Sequence, residues 1–150
     1  MKEKFRLMGI KLDRRTSNAN GQASIDCGEL WGRFIEQGIA QKIPDKISDA
    51  LYAVYYDYES DEKGHYSYFI GCRVPDHTAL QEGLDELIIP QQSYTKITAS
   101  GPVPACIAEA WVGIWSKDLN RKFGYDFEVY DERSRDWNNG EIDIYLSVNS

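Results

Sequence analysis

The sequence is poor in the residues that build metal centres and disulfide frameworks. It holds three cysteines and two histidines among 150 residues. Cys27, Cys72 and Cys106 are far apart, and no C-x-x-C pair occurs. Neither a zinc site nor a set of disulfides is therefore predicted, and we expect no metal or other cofactor. The simplest interpretation of the cysteines is three free thiols packed in the core.

Positive charge is also scarce, with 17 lysines and arginines against 24 acidic residues and a net charge of -7. Nucleic-acid surfaces need clustered Lys and Arg, so we expect no direct binding to DNA or RNA. No apolar run approaches the ~20 residues of a membrane span, and the polar start Met1–Lys4 lacks the apolar core of a signal peptide. We therefore expect a cytoplasmic protein without a membrane partner. The acidic balance is compatible with cationic ligands without requiring them.

The most regular feature that is present is a pair of amphipathic helices. Apolar residues at helical spacing predict the first from about Cys27 to Ile43 and the second from about Pro104 to Lys122. The two apolar stripes share one spacing, which starts at Glu29-Leu30-Trp31 in the first helix and at Glu109-Ala110-Trp111 in the second. This repetition indicates two similar halves, of about residues 1–74 and 90–150.

Strand-like segments repeat in the same order around the two helices. One lies before each helix and two follow it, giving β-α-β-β twice, in the segments Phe5–Leu12, Leu51–Tyr58, Tyr66–Val74, Tyr94–Ala99, Tyr125–Asp131 and Glu141–Val148. We expect an α+β fold in a single domain of residues 1–150, with one largely antiparallel sheet and both helices on one face. A ligand groove is expected at the pseudo-twofold axis. The connection Thr78–Leu87 is expected to be a short helical or extended crossover.

One predicted strand carries an acid and a phenol on the same face. Glu128 and Tyr130 are two residues apart and therefore point the same way, while Phe127 and Val129 point the other way. If the Glu128 face lines a pocket, one carboxylate lies beside aromatic rings. That combination suits an organic cation.

Superposing the two halves of the repeat places Val54 with Glu128 and Tyr56 with Tyr130. The carboxylate then has no charged counterpart in the first half. This superposition depends on strand register, since an error of one residue would move every side chain to the other face.

Several short motifs, taken in their order and spacing, resemble a known family. They run along the chain as Val74-Pro75-Asp76, Gly83-Leu84, Ile89-Pro90, Tyr94-Thr95-Lys96-Ile97, Gly101-Pro102-Val103-Pro104, the helix around Trp111–Trp115, Phe127-Glu128-Val129-Tyr130-Asp131 and Ile142-Asp143-Ile144-Tyr145-Leu146. In this pattern the chain resembles the GyrI-like small-molecule-binding domains, which also serve as effector-binding domains of AraC-type and multidrug-sensing MerR-type transcription activators. It is also similar to stand-alone cationic-drug-binding proteins of that family encoded on bacterial integron gene cassettes.

The resemblance implies a duplicated β-α-β-β fold, in agreement with the repeat. It also implies a pocket in which a buried glutamate beside aromatic rings binds a cation, and Glu128 in its E-x-Y context with Tyr130 matches that glutamate. Tyr145 on the last strand matches a pocket tyrosine, and Trp111 and Tyr56 are carried over as further walls. The sequence departs from the transcription activators, because the effector-domain pattern uses it from end to end. No helix-turn-helix is then expected, and a DNA-binding regulator or another protein acting in trans stays open as a partner.

These observations favour a binding module that senses or sequesters aromatic or amphipathic organic cations, rather than an enzyme. Trp115 either packs beside Trp111 or lines the rim of the cavity. Two other classes of function stay open. One is a hydrolase of strained electrophilic compounds, in which Glu128 acts as general base and Tyr130 as hydrogen-bond donor. The other is a regulator that binds a protein such as gyrase or a component of transcription.

Overall fold

The computed structural model describes residues 3–17, 21–59, 64–103, 105–117, 119–134, 136 and 138–149, without the side chain of Ser24. Within this described part lie seven strands, namely β1 Phe5–Lys11, β2 Leu51–Tyr56, β3 Ser67–Val74, β4 Asp85–Ile89, β5 Ser93–Gly101, β6 Asp126–Tyr130 and β7 Gly140–Val148. The helices are α1 Gln22–Glu36, α2 Ile39–Lys42 and α3 Ala105–Trp115, and a 3-10 turn spans Glu132–Ser134. No helix among these residues is long and apolar enough to cross a membrane.

The strands form one sheet in the order β4-β1-β3-β2-β6-β7-β5, and all neighbouring strands are antiparallel. The two central strands, β2 and β6, come from different halves of the repeat. Ala53 pairs with Glu128 in the middle of their ladder, so the pseudo-twofold axis passes through that pair. The antiparallel α+β fold predicted from the repeat is confirmed.

The connection between the two halves adds a strand at the edge of the sheet. The segment was expected to be short helical or extended, and the extended alternative is right, because Asp85–Ile89 pairs with β1. Leu87 and Ile89 alternate with the exposed residues Glu86 and Ile88, and they belong to the cluster that contains Phe5 and Leu7. This alternation is typical of a strand that is buried on one face.

Both long helices are shorter than their predicted bounds. The first begins at Gln22, five residues before its predicted start at Cys27, and ends at Glu36 instead of Ile43. It ends there because Gly38 adopts a left-handed φ of 58°, and the short helix α2 follows. The second ends at Trp115. It does not reach Lys122, because Asn120 and Phe123 have φ values of 55° and 57°. Positive φ is incompatible with a right-handed helix. Pro104, the predicted first residue of the second helix, lies outside the described residues.

All three helices pack on one face of the sheet, as the repeat predicts. The apolar residues beneath α1 and α2 form one buried cluster, and those beneath α3 form another. Tyr55 of β2 and Tyr130 of β6 pack against both clusters. These two residues therefore mark the floor between the helices.

The side chains on the far face of the sheet, opposite the helices, pack against one another in a third cluster, which we call the far layer. Its buried members are Phe5, Leu7, Val54, Phe69, Ile89 and Phe127, and its partly buried aromatic members are Tyr52, Tyr56, Tyr94, Tyr125 and Tyr145. Burying an apolar side chain of this size contributes about 1.5–3 kcal/mol. This layer has no helix among the described elements, so the space between α1 and α3 is the groove that the fold provides.

The superposition of the two halves is wrong by one residue. Ala53, and not Val54, pairs with Glu128. Ala53 packs beneath the helices, whereas Val54 belongs to the far layer. It follows that Tyr55, and not Tyr56, shares a face with the carboxylate. The segment has large apolar or aromatic side chains on both faces, so its pattern does not fix which residues point to the helices.

Candidate ligand-binding site

A cavity of about 610 Å³ lies between α1 and α3 above the central strands. Its described lining consists of Ala23, Cys27, Gly28 and Trp31 of α1, Ala105, Ile107, Ala108, Trp111, Val112 and Trp115 of α3, and Tyr55, Tyr58, Tyr66, Tyr68, Arg121, Glu128 and Tyr130 around the floor. Many of the helix residues that face it are small, which leaves space between the helices and the sheet. We call this space the inner cavity, and it occupies the groove expected at the pseudo-twofold axis.

Glu128 lies in the floor of the inner cavity and is only 1% exposed. Three neutral donors hold its carboxylate. Tyr130 Oη donates to Oε1 at 2.6 Å, while Trp111 Nε1 and Tyr55 Oη donate to Oε2 at 2.7 and 2.8 Å. Hydrogen bonds to an ionised acceptor are among the stronger ones in proteins. They orient the carboxylate, and they come from both halves of the repeat.

No basic side chain of the described residues forms an ion pair with Glu128. Arg121 also lines the inner cavity, but its Nη2 pairs with Asp126 Oδ2 at 2.8 Å. Asp126 is further held by the backbone N–H and the hydroxyl of Ser147 at 2.7 and 2.8 Å. The arginine is therefore neutralised by its own partner. When ionised, Glu128 is a buried negative charge without a positive partner in the described part of the chain, which is costly in the absence of a ligand.

The surroundings of Glu128 make its ionisation sensitive to pH. Burial raises its pKa above the ordinary 4.5, and hydrogen bonds from Tyr130, Trp111 and Tyr55 oppose that rise. Because the folded-state pKa is raised, the stability that this group contributes is fully present below the unfolded-state pKa. It is lost as the pH rises through the folded-state pKa. A cation beside the carboxylate would stabilise the ionised form and offset that loss.

Aromatic rings from both halves of the chain surround the carboxylate. The ring centroid of Tyr55 lies 5.0 Å from those of Tyr68 and Trp111, and Trp31 lies 5.1 Å from Tyr130. Trp31 and Trp111 are equivalent in the repeat, and both indole N–H groups point toward the floor. Trp31 Nε1 donates to Tyr68 Oη at 2.8 Å, as Trp111 Nε1 donates to the carboxylate. Rings beside a carboxylate are favourable surroundings for an organic cation.

Four of the predicted ligand-binding residues lie together. Glu128, Tyr130, Trp111 and Trp115 all line the inner cavity. Trp115 is 39% exposed, and its ring centroid is 6.5 Å from that of Trp111. It therefore both packs beside Trp111 and lines the cavity where this opens to solvent.

Tyr145 and Tyr56 are not among the described residues that line this cavity, and their predicted position in the pocket is wrong. Tyr145 pairs with Phe127 across β6 and β7 and stacks on its ring at 5.0 Å in the far layer. Tyr56 stacks on Tyr125 at 5.7 Å in the same layer. In each strand the neighbouring residue faces the helices. Both predictions therefore assign the residue to the wrong face of the sheet, because side chains in a strand alternate between the two faces.

Tyr55, Tyr68 and Trp31 are cavity residues that the sequence pattern does not single out. For Trp31 a signal exists, because it occupies the position of Trp111 in the repeat and so faces the same groove. Tyr55 can be assigned only from the pairing of β2 with β6. Nothing in the sequence fixes that register.

The described lining of the inner cavity offers rings, hydrogen-bond donors and one acid, Glu128. Among the described residues, no group of three or more His, Cys, Asp or Glu side chains could hold a metal ion. Cys27 also lines the inner cavity. Burial, reinforced by the negative charges of Glu128 and Asp26, raises the pKa of its thiol. Cys27 is therefore a neutral thiol rather than an activated nucleophile.

The sequence matches a family model over residues 1–148, that of Cass2, described as an integron-associated effector binding protein. It is also 32% identical over 130 residues to the transcriptional regulator BrlR of Pseudomonas aeruginosa. That alignment covers 81% of this chain and 46% of the regulator. The chain thus spans less than half the length of that relative.

Solved structures have the same fold. An integron cassette protein from the mobile metagenome of Vibrio cholerae is 25% identical, with a TM-score of 0.72 over 99% of this chain and 92% of that chain. SAV2435, solved bound to tetraphenylphosphonium, is 19% identical, with a TM-score of 0.77 over 99% of this chain and 91% of that chain. At that identity the likeness to SAV2435 shows the fold alone.

Proposed function

The chain belongs to the Cass2 family of integron-associated effector-binding proteins, and we propose that its effector is an aromatic or amphipathic organic cation. The cation lies in the inner cavity, with Glu128 as its counter-charge and Tyr55, Tyr130 and Trp111 around it. One observation carries the proposal. Glu128 is a carboxylate 1% exposed, bonded to three neutral donors and, within the described chain, to no basic side chain.

The interactions available in the cavity are of the size that micromolar binding requires. A unit charge ~5 Å from the carboxylate, at an effective dielectric of ~20, gains about 3 kcal/mol. Each ring next to the cation adds about 0.5–2 kcal/mol. Micromolar affinity corresponds to about 8 kcal/mol, and burial of the apolar body of the ligand supplies the remainder at ~25 cal/mol per Å².

Two further observations support this class of effector. The neighbour SAV2435 has been solved bound to tetraphenylphosphonium, a lipophilic cation. The inner cavity, at about 610 Å³, is within the common range of small-molecule sites. The relative BrlR is a transcriptional regulator, so the proposed role includes sensing the cation for a DNA-binding partner in trans.

Titration of tryptophan fluorescence with two matched ligands tests the proposal. Methyltriphenylphosphonium is charged, and triphenylphosphine oxide carries the same three rings without a net charge. We expect the wild type to bind the cation about 100-fold more tightly, because about 3 kcal/mol corresponds to two powers of ten. Glu128→Gln removes the charge with little change in shape, so this preference should disappear.

A matched control distinguishes the effect of the charge at Glu128 on binding from the effect of the total charge of the protein. Glu109 is exposed on α3 and outside the described cavity lining, and Glu109→Gln makes the same change in total charge. Thermal unfolding of both variants verifies that they are folded. Equal affinity of wild type and Glu128→Gln for the cation would overturn the proposal.

A further inference from the structure

A second cavity, of about 830 Å³, continues the groove toward the end where β2 begins and β6 ends. We call it the outer cavity. Gly28, Trp31, Ile107 and Tyr130 line both cavities. The two spaces therefore adjoin at these residues.

The outer cavity has apolar sides and acidic residues at its end. Ile35 of α1 lines it, and this residue is 66% exposed. Leu51 and Tyr130 pair across β2 and β6. Asp49 lies two residues before Leu51, and Glu132 lies two residues after Tyr130. Both acids line the outer cavity, so they lie at the same end of the groove.

These two carboxylates are available to a ligand. The side chain of Asp49 is 80% exposed, and Lys46 approaches it only to 3.9 Å. Glu132 forms no ion pair within the part of the chain that the structure describes. The nearby Arg133 pairs with Asp131 at 3.0 Å and with further acids. The end of the outer cavity is thus negatively charged overall.

We propose that the groove takes elongated organic dications. One cationic group lies beside Glu128 in the inner cavity, an apolar linker passes Trp31 and Tyr130, and the second cationic group lies beside Asp49 and Glu132. The inference rests on the proposed function, because Glu128 is the inner counter-charge. Glu132 is four residues from Glu128, which is at most about 13 Å along the chain, because β6 ends at Tyr130 and Glu132 begins a 3-10 turn. This upper limit is comparable with the distance between the ends of an extended decane chain.

Decamethonium and decyltrimethylammonium are matched probes, because they share the chain and one trimethylammonium group and differ in the second. Isothermal titration calorimetry measures both. We expect Asp49→Asn combined with Glu132→Gln to weaken decamethonium about fivefold and to leave decyltrimethylammonium within about twofold, since an exposed charge pair contributes a few tenths to about 1 kcal/mol. The control combines Glu3→Gln with Glu82→Gln, two exposed acids outside both cavity linings, and should leave both ligands unchanged.

The region where the two cavities adjoin is tested separately. An added Cβ at Gly28 or Gly32 has no atom within 4 Å, but of these two glycines Gly28 alone is part of the cavity linings. Gly28→Leu should narrow the space where the two cavities adjoin. Decamethonium should then bind no more tightly than decyltrimethylammonium. In Gly32→Leu, one turn away on the same helix, decamethonium should still bind more tightly than decyltrimethylammonium.

The outcomes distinguish this inference from the proposed function. If decyltrimethylammonium binds in a Glu128-dependent way and the second charge adds nothing, the extended site alone is overturned. If neither ligand binds although methyltriphenylphosphonium does, the extended site alone is overturned. If wild type and Glu128→Gln bind these ligands and methyltriphenylphosphonium equally well, both proposals are overturned. A second-charge advantage that disappears in the Asp49, Glu132 double variant and in Gly28→Leu supports the extended site.

Discussion

Replacing Tyr130 with Phe removes the shortest hydrogen bond to the Glu128 carboxylate and keeps the aromatic ring. The lost bond joins Tyr130 Oη to Glu128 Oε1 at 2.6 Å, while the donors from Trp111 and Tyr55 remain. A hydrogen bond to a charged group contributes about 1.5–3 kcal/mol. This bond lowers the pKa of Glu128, so its loss should raise that pKa further.

The expected effect on ligand binding depends on pH, because the cation binds the ionised carboxylate. Below the pKa of Glu128, the Kd for methyltriphenylphosphonium should rise about tenfold in Tyr130→Phe. At pH above the raised pKa, both proteins are ionised and the difference should vanish. The midpoint of the pH profile should therefore move to higher pH in the variant.

Fluorescence titration across a pH series measures this shift, with Tyr145→Phe as the matched control. Tyr145 has the same chemistry, but its ring stacks on Phe127 in the far layer. It should reproduce the wild-type profile. A Tyr130→Phe profile that superimposes on the wild type, or an equal shift in Tyr145→Phe, would refute the reasoning.

Three further predictions concern stability and are measured by urea denaturation. Because the pKa of Glu128 is raised, the unfolding free energy of the wild type should fall relative to that of Glu128→Gln as the pH rises through this pKa; a pH-independent difference would contradict this. Asp126, which is 0% exposed, pairs with Arg121, and Asp126→Asn should cost about 3–5 kcal/mol; a loss below ~1 kcal/mol would show that the arginine does not need this partner. Gly28→Ala adds a Cβ with no atom within 4 Å and should stabilise the protein by about 0.5–1 kcal/mol; a loss of stability would contradict the open space at this position.

The fold could be predicted because the repeat is carried by large residues. Trp31 and Trp111 lie at equivalent places on their helices, and strand-like segments follow each helix in the same order. The GyrI-like and integron-cassette resemblance is confirmed by the family match. Strand β4 was not distinguished from a short helix, because five residues at a sheet edge carry little periodic signal.

The residues of the candidate site could be predicted only in a strand where the two faces differ clearly in the polarity of their side chains. In β6, Phe127 and Val129 are apolar, so Glu128 and Tyr130 were correctly placed on a common face. In β2, both faces carry apolar or aromatic side chains, so Tyr55 and Tyr56 could not be told apart. The pairing of Ala53 with Glu128 resolves this, and such pairing depends on contacts between distant parts of the chain.

The central claim is that Glu128 is the counter-charge of a bound organic cation. A crystal structure of the complex with tetraphenylphosphonium tests it most directly. We expect the phosphorus to lie in the inner cavity, facing the carboxylate, with aromatic ring centroids within about 6 Å. A ligand bound against Tyr56 and Tyr145 on the far face, or with a basic side chain between it and Glu128, would contradict the account.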